Sequence, residues 1–476
     1  MDIKRIGIIV FVGVLVVAGY WAKIGIDTNH DGISLKPALD IVWGKVLYRD
    51  TFSHYGPLMA YTHAGAMKLF GEKLIIIKFT AAMAYALTGV MVWWLSYKLT
   101  NKNIALWAVI LWLGLATYYY QHFYVWASVY GALMHLATIC WLWRTVENNL
   151  KNRDVLILGI LAGAAFWFKQ PYLMTIIALV IVFWFRGWRK KLPVLFLGFV
   201  LTGMVVLATI YYSGGLIDWL KQNIWVGYIN GRVLGDDNTL LETVNYFWRR
   251  PLWLVLALES GWVCWRMRGR KYWAVFALAV SSLVHYLPLL DDSHMYWAAT
   301  PVFPIWIYSL VIMWKERINI FKKAMVLITV FLVLGELGMR IKSGVERINN
   351  NQIVVQIQIV LQRMKTNLQT AHDLGNFDIV TKLYLAENPE KKIVSLSMDA
   401  LYMTFDKKAQ NIESLYCDLS GLASGVYPYH SSIQKYIELQ RPLVLADEGE
   451  KTPIGYEKIS EWSYLNKVLL APIISR

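Results

Sequence analysis

Apolar blocks of roughly membrane-crossing length alternate with short polar connections over the first 341 residues. A helix needs about 20 predominantly apolar residues to cross a hydrocarbon core. Blocks of that kind fall at residues 6–22, 74–97, 103–119, 127–143, 155–170, 172–185, 193–213, 251–265, 272–290, 297–314 and 324–341. The pattern predicts an α-helical polytopic membrane protein of about eleven transmembrane helices. Lys169-Gln170-Pro171 separates two of the shorter blocks, and Pro171 lacks an N–H and disfavours helix at the residue before it, so a tight hairpin is expected there. The first block, preceded by Lys4 and Arg5, lacks a convincing small-x-small cleavage site and reads as an uncleaved span.

Two longer polar stretches interrupt the alternation. In the first, residues 25–72, Leu35, Leu39, Val42 and Val46 recur at three- and four-residue spacing, which predicts a helix over 34–44 lying on the membrane surface with Lys36 and Asp40 toward water. Gly32 permits a turn after Asp31, Pro37 suits a first helical turn, and Tyr55-Gly56-Pro57 breaks the chain before a second interfacial helix from Leu58 to Phe70. In the second, residues 214–248, Trp219, Ile224, Trp225 and Tyr228 predict another interfacial helix. After residue 341 the pattern changes again. Asn349-Asn350-Asn351 opens a polar region with an amphipathic run over 353–364 and strand-like runs at 393–396, 443–446 and 468–470. Two parts are therefore expected: a transmembrane domain, 1–341, and a small extracytoplasmic α/β domain, 342–476.

Composition agrees with a membrane protein: the chain is 57% hydrophobic and 17% charged, against about 45–50% and 25% for soluble domains. A net charge of +15 could suggest nucleic acid, but the cations sit in alternate short loops. Lys98 and Lys102, Arg144, Lys151 and Arg153, the Arg186–Lys191 group, the Arg266–Lys271 group and the Lys315–Lys323 group share one side, while the short loops near Gln121 and Ser293 carry none. That is the positive-inside pattern. It predicts a multi-pass cell (inner or plasma) membrane protein with a cytoplasmic N-terminus and places residues 25–72 and the C-terminal part outside the cytoplasm. Of the three cysteines, Cys140 and Cys264 lie in apolar blocks and Cys417 in a polar region, with no paired spacing for a disulfide or a metal.

The first outer loop concentrates Asp27, His30, Asp31, Asp40, Asp50 and His54. Asp31 at the start of a helix near headgroup level could meet a lipid-borne phosphate substrate from one side and an aqueous acceptor from the other. An N-terminal span, a short acidic element, a helix ending in Gly44-Lys45-Val46-Leu47-Tyr48-Arg49-Asp50, then Tyr55-Gly56-Pro57-Leu58 and Phe70-Gly71 together resemble the first outer loop of the GT-C glycosyltransferases, within them the protein O-mannosyltransferase and aminoarabinose-transferase type. The motif resemblance covers residues 27–71, and the layout of spans extends it in outline over nearly the whole chain. Lys169-Gln170, and Asp291-Asp292-Ser293-His294 with Pro301 and Pro304, are weaker echoes.

The resemblance implies transfer of a sugar from a polyprenyl-phosphate donor to a glycolipid, polysaccharide or protein acceptor, with inversion, and an acidic residue of this loop as general base. Relatives often carry Asp-Glu where this chain reads His30-Asp31; Asp31 is the match and Asp27 its rival. Lys169 is the first candidate to steady the leaving phosphate, with Arg49 and His294 behind it and His30, His54 and Gln170 as further substrate-binding candidates. Each residue also has a plainer reading. Asp31 is a favoured helix cap, Arg49-Asp50 a turn, and Lys169 a snorkelling side chain. No cofactor is indicated. Asp291, Asp292 and His294 read first as solvated loop residues, although two carboxylates and a histidine also suit a divalent metal. The alternatives in function are a transporter or flippase of lipid-linked glycans, for which inverted repeats are expected and none is found, and a polymerase of such glycans, whose polar loops would fall late in the chain.

Overall fold

The computed structural model describes residues 2–53, 55–119, 121–147, 150–225, 240–269, 271–285, 291–315, 320–355, 364–388, 393–395, 401, 442–447, 456–462 and 467–472. Among the described residues, the apolar blocks read from the sequence fall mainly on helix, with breaks at 115–116 and 300–302. Among the described residues, four helices are long and apolar enough to cross a membrane unaided: Ile3–Trp21, Leu74–Leu99, Arg189–Tyr212 and Ile320–Asn350. Asp292–Ala299 and Phe303–Lys315 form a fifth if taken as one span bent by 72°. Lys102–Gly114, Gln170–Phe185 and Trp273–Val284 are shorter apolar helices. The break at Pro171 is as expected: helix Asn152–Phe168, a 3₁₀ turn over Gln170–Tyr172, then helix Leu173–Phe185.

Helix Asn152–Phe168 packs against helix Leu192–Tyr212 through glycines. A Cβ on Gly159 would lie 2.1 Å from the Leu195 carbonyl oxygen, and one on Gly198 2.2 Å from that of Leu156. With lipid as solvent there is little hydrophobic force between helices, so close backbone approach through small residues supplies the packing. Gly159→Val is expected to cost about 1–3 kcal/mol or more, because the opposing atoms are backbone and cannot rotate away. Gly13→Ala, where nothing lies within 4 Å, should leave the melting temperature in detergent unchanged. Equal melting of the two variants would refute the close crossing.

The first outer loop folds as helices His30–Val42 and Pro57–Phe70. One expectation fails here. Lys36 and Asp40 do not face water; both side chains are fully buried, joined at 2.8 Å, with Lys45 2.9 Å from the same Asp40 oxygen. Burial pushes the Lys36 ammonium down to about 8, although the Asp40 carboxylate opposes the shift. Pro37 lies inside the helix and not in its first turn. In the second stretch a short helix, Leu216–Leu220, continues as a π-helical turn to Trp225; Tyr228 lies outside the described residues. The run at 353–364 is not helical at its ends: Ile353–Val355 pairs antiparallel with Met364–Thr366.

Helix Ile320–Asn350 runs unbroken past residue 341, and helix Leu368–Glu387 follows the two-stranded pair. Three of the expected strands are present, Ile393–Ser395, Leu443–Asp447 and Lys467–Pro472, together with Tyr456–Trp462, which the sequence pattern did not suggest. They form one sheet in the order 393–395, 443–447, 467–472, 456–462, parallel in its first pair and antiparallel in the rest.

Candidate active site at the first outer loop

The chain leaves its first helix and turns at Gly25, whose φ of +83° and crowded surroundings exclude a side chain: a Cβ would lie 2.8 Å from His122 Nδ1 and 2.9 Å from Arg347 Nη2. The loop is held from distant parts of the sequence. Gly25 N–H donates to the Lys365 carbonyl at 2.8 Å, Lys365 N–H to that of Lys23 at 2.9 Å, and Leu401 N–H to that of Thr28 at 3.0 Å. The Arg347 guanidinium donates to the carbonyls of Ile24 and Tyr118.

This scaffold presents two carboxylates in different surroundings. Asp27 Oδ1 accepts the backbone N–H groups of Asn29 and His30 at 3.0 and 2.9 Å, and its Oδ2 meets His30 Nδ1 at 3.0 Å. Its side chain is 15% exposed and that of His30 33%. Burial alone would raise the Asp27 carboxyl, but the bond to His30 and the charges of His30 and His122 prevail and hold it well below the usual carboxylate range. Asp31 is closed off. Its Oδ2 pairs with Lys78 Nζ at 2.8 Å, both side chains without exposure, and accepts the Asp27 N–H at 3.0 Å. Burial pushes the Asp31 carboxyl upward, opposed by the Lys78 charge. Lys78 also donates to the Gly25 carbonyl at 3.1 Å.

A second cluster borders the same aromatic stack. Lys169, the residue after helix Asn152–Phe168, donates to Ser128 Oγ at 2.8 Å and lies 3.4 Å from His294 Nε2. Burial pushes its ammonium down to about 8, against the pull of Asp291. Asp291 starts helix Asp292–Ala299 by accepting the N–H groups of Ser293 and His294, both at 2.8 Å, and its other oxygen pairs with His294 Nδ1. Trp126 joins the two clusters. Its ring lies 5.1 Å from that of His30, 5.5 Å from that of His294 and 5.9 Å from Lys169 Nζ, and it stacks on Tyr124 at 4.5 Å. His30, held by Asp27, and Lys169 with His294 thus border the same indole ring.

Of the residues singled out from the sequence, Asp27, His30 and Asp31 come together, as do Lys169, His294 and Asp291. Others point elsewhere. Arg49 is half exposed and forked onto Asp50, and Gln170 donates to Asn223 Oδ1 at 2.6 Å, tying down the Leu216–Trp225 segment. Asp292 turns to Arg250 at 2.8 Å, so Asp291, Asp292 and His294 do not converge as metal ligands. Among the described residues no group of three or more His, Cys, Asp or Glu side chains is arranged to hold a metal ion. His54 lies outside the described residues. Sequence reasoning missed Lys78, Ser128, Tyr124 and Trp126. Lys78 carried a signal, a lone cation inside an apolar block. Tyr124 and Trp126 stack on one another two residues apart, but their residue types merge with the interfacial aromatic belt.

Residues 54–212 match the model of the dolichyl-phosphate-mannose-protein mannosyltransferase family. A comparison with curated proteins finds no match. Among solved structures, the chain is similar to ArnT from Cupriavidus metallidurans bound to undecaprenyl phosphate, with a TM-score of 0.59 at 11% identity over 98% of both chains. It is also similar to the Archaeoglobus fulgidus oligosaccharyltransferase tethered to an acceptor peptide, with a TM-score of 0.53 at 12% identity over 92% of this chain and 69% of that one. The same archaeal enzyme, AglB, in complex with an inhibitory peptide and a dolichol-phosphate gives 0.52 at 11% identity over the same shares. The family match covers residues 54–212, a third of the chain, and at 11–12% identity the likeness to these solved structures is one of fold.

Proposed function

We propose that this protein transfers a sugar from a polyprenyl-phosphate donor to an extracytoplasmic acceptor, with inversion at the anomeric carbon. The observation that carries the reading is that the Asp27–His30 group and the Lys169–His294 group both border the Trp126 ring. An inverting displacement needs a proton acceptor on one side of the anomeric carbon and charge stabilisation for the leaving phosphate on the other. The loop supplies the first and Lys169 the second. Lipid phosphates occupy the structures of two proteins of this fold, which supports a donor of that chemistry here. Of the two acids, Asp27 borders the site, whereas Asp31 is spent on Lys78 and on the Asp27 backbone. The cation-poor loops near Gln121 and Ser293 support an extracytoplasmic active face, and the C-terminal segments that bind the loop backbone support a C-terminal part on the same face.

The reading is tested with purified protein in liposomes containing polyprenyl-phosphate sugars radiolabelled in the sugar. Wild type should move label to an added glycolipid, polysaccharide or peptide acceptor, and Asp27→Asn should lose about 10²–10⁴ of the rate. Movement of intact glycolipid between leaflets without sugar transfer would replace the enzyme reading with a flippase.

A further inference from the structure

Resting on that reading, we infer that Arg347 is a positioning residue for the transfer. Its one guanidinium fixes the loop that carries Asp27 against the segment that carries Tyr124 and Trp126. The argument starts from a cost. Helix Ile320–Asn350 runs past its apolar block into polar sequence, and beyond Val333 its buried residues are Arg340, Gly344 and Arg347. Spacings of four and three put these on one face. A buried guanidinium is costly unless it is paired or hydrogen-bonded, and apolar side chains would cover the same face without that cost.

What Arg347 gains is two backbone carbonyls from different parts of the chain. Its Nη2 donates to the carbonyl of Ile24, three residues before Asp27, and its Nη1 to that of Tyr118, six residues before Tyr124. Ile24 follows the first helix, and Tyr118 lies in the 3₁₀ turn that follows helix Lys102–Gly114. Carbonyls at helix ends lack partners within the helix. A guanidinium is planar and holds its donors in a rigid fork, so the two carbonyls are kept at one spacing. The fork is itself held in place. It lies 5.7 Å from the Trp21 ring, and Gly25 leaves it room that a Cβ, 2.9 Å from Nη2, would take. On the same face, Gly344 brings the helix close to Trp21 and Tyr119, which a Cβ would meet at 3.3 and 3.6 Å.

The consequence falls on the site. The His30 ring, held by Asp27, meets the rings of Tyr124 and Trp126 at 4.6 and 5.1 Å. Those contacts cross between the two segments that Arg347 joins. The other bonds described at this place hold one segment each. Lys365 pairs with Lys23 and Gly25 of the loop, and Arg340 donates to the Ala116 carbonyl at 3.1 Å. A misplacement of about 1 Å far from the chemistry can cost about 10²-fold in rate.

The test uses the full chain in the liposome assay above, with kcat expressed per polyprenyl-phosphate-binding site. Misfolded protein drops out of both numbers, so a role in folding alone leaves this kcat unchanged. Arg347→Lys keeps the charge and loses the fork. It should lower kcat per site by about 10²-fold, while the Kd for polyprenyl phosphate stays within about threefold of wild type. Arg347→Ala should regain about tenfold or more, saturably, with guanidinium, and should not respond to methylammonium, which brings the charge without the fork. If Arg347→Lys yields no binding sites, Arg347→Ala prepared in millimolar guanidinium decides alone. Arg347→Lys within about threefold of wild type in kcat per site, or Arg347→Ala responding alike to the two cations, overturns the inference and leaves Arg347 a brace of the fold. In either case wild-type transfer still stands; a wild type without transfer overturns the glycosyl-transfer reading and this role with it.

Discussion

Lys78→Met should lower the stability of the protein by about 3–5 kcal/mol and abolish transfer, because removing one partner of a buried pair leaves the other charge unsolvated. The pair with Asp31 is 2.8 Å long and neither side chain is exposed. The loss reaches the site by a short route. Lys78 also holds the Gly25 carbonyl, and Asp31 accepts the Asp27 N–H, so both ends of the loop that carries Asp27 hang on this pair. Pairing Lys78→Met with Asp31→Leu separates stability from function. Replacing a buried ion pair by apolar groups of similar volume is often neutral or stabilising by about 1–4 kcal/mol, so the double variant should regain the wild-type melting temperature in detergent. It should not regain transfer, since leucine cannot accept the Asp27 N–H. A single variant that melts and transfers like wild type would show that the pair has no such part, and a fully active double variant would show that Asp31 does not position Asp27.

The sequence singles out the polar side chains of the loop more readily than it shows which of them meet. Asp27, His30, Lys169 and His294 were legible because polar residues bordering apolar blocks stand out one by one. Which of them meet depends on helix crossings that no local pattern encodes, and Arg49 and Gln170, equally prominent in sequence, went to structural partners. Lys36 and Asp40 were misread for a physical reason. An i, i+4 charge pair resembles a solvated helix face, but the same spacing lets the pair satisfy itself at 2.8 Å and be buried under neighbouring segments. Asp31 differs from Asp27 for a similar reason: only the fold brings Lys78, 47 positions along the chain, against it. The strand pairing of Lys365 with the Lys23–Gly25 segment was equally hidden, since three-residue strands leave almost no periodicity to read.

Lys169 offers the sharpest test of the cationic end. Burial lowers its ammonium to about 8, so in the free protein it gives up its proton in a range where other lysines stay charged. A donor phosphate needs the charged form, and binding it pulls the value back up. Affinity for polyprenyl phosphate should therefore be flat from about pH 7 to 8 and fall above that, by up to about tenfold per pH unit, until the pH passes the value in the complex. Below that window the phosphate itself titrates, near pH 6, which sets the lower limit of the measurement. The described groups around the ammonium include Ser128, His294, Asp291 and the rings of Tyr55 and Trp126. Lys169→Met should bind more weakly, with no slope between pH 8 and 10, and should lose about 10²–10³ in kcat, the usual cost of removing one group that stabilises developing negative charge. The same pH slope in Lys169→Met as in wild type would assign the donor phosphate to another cation.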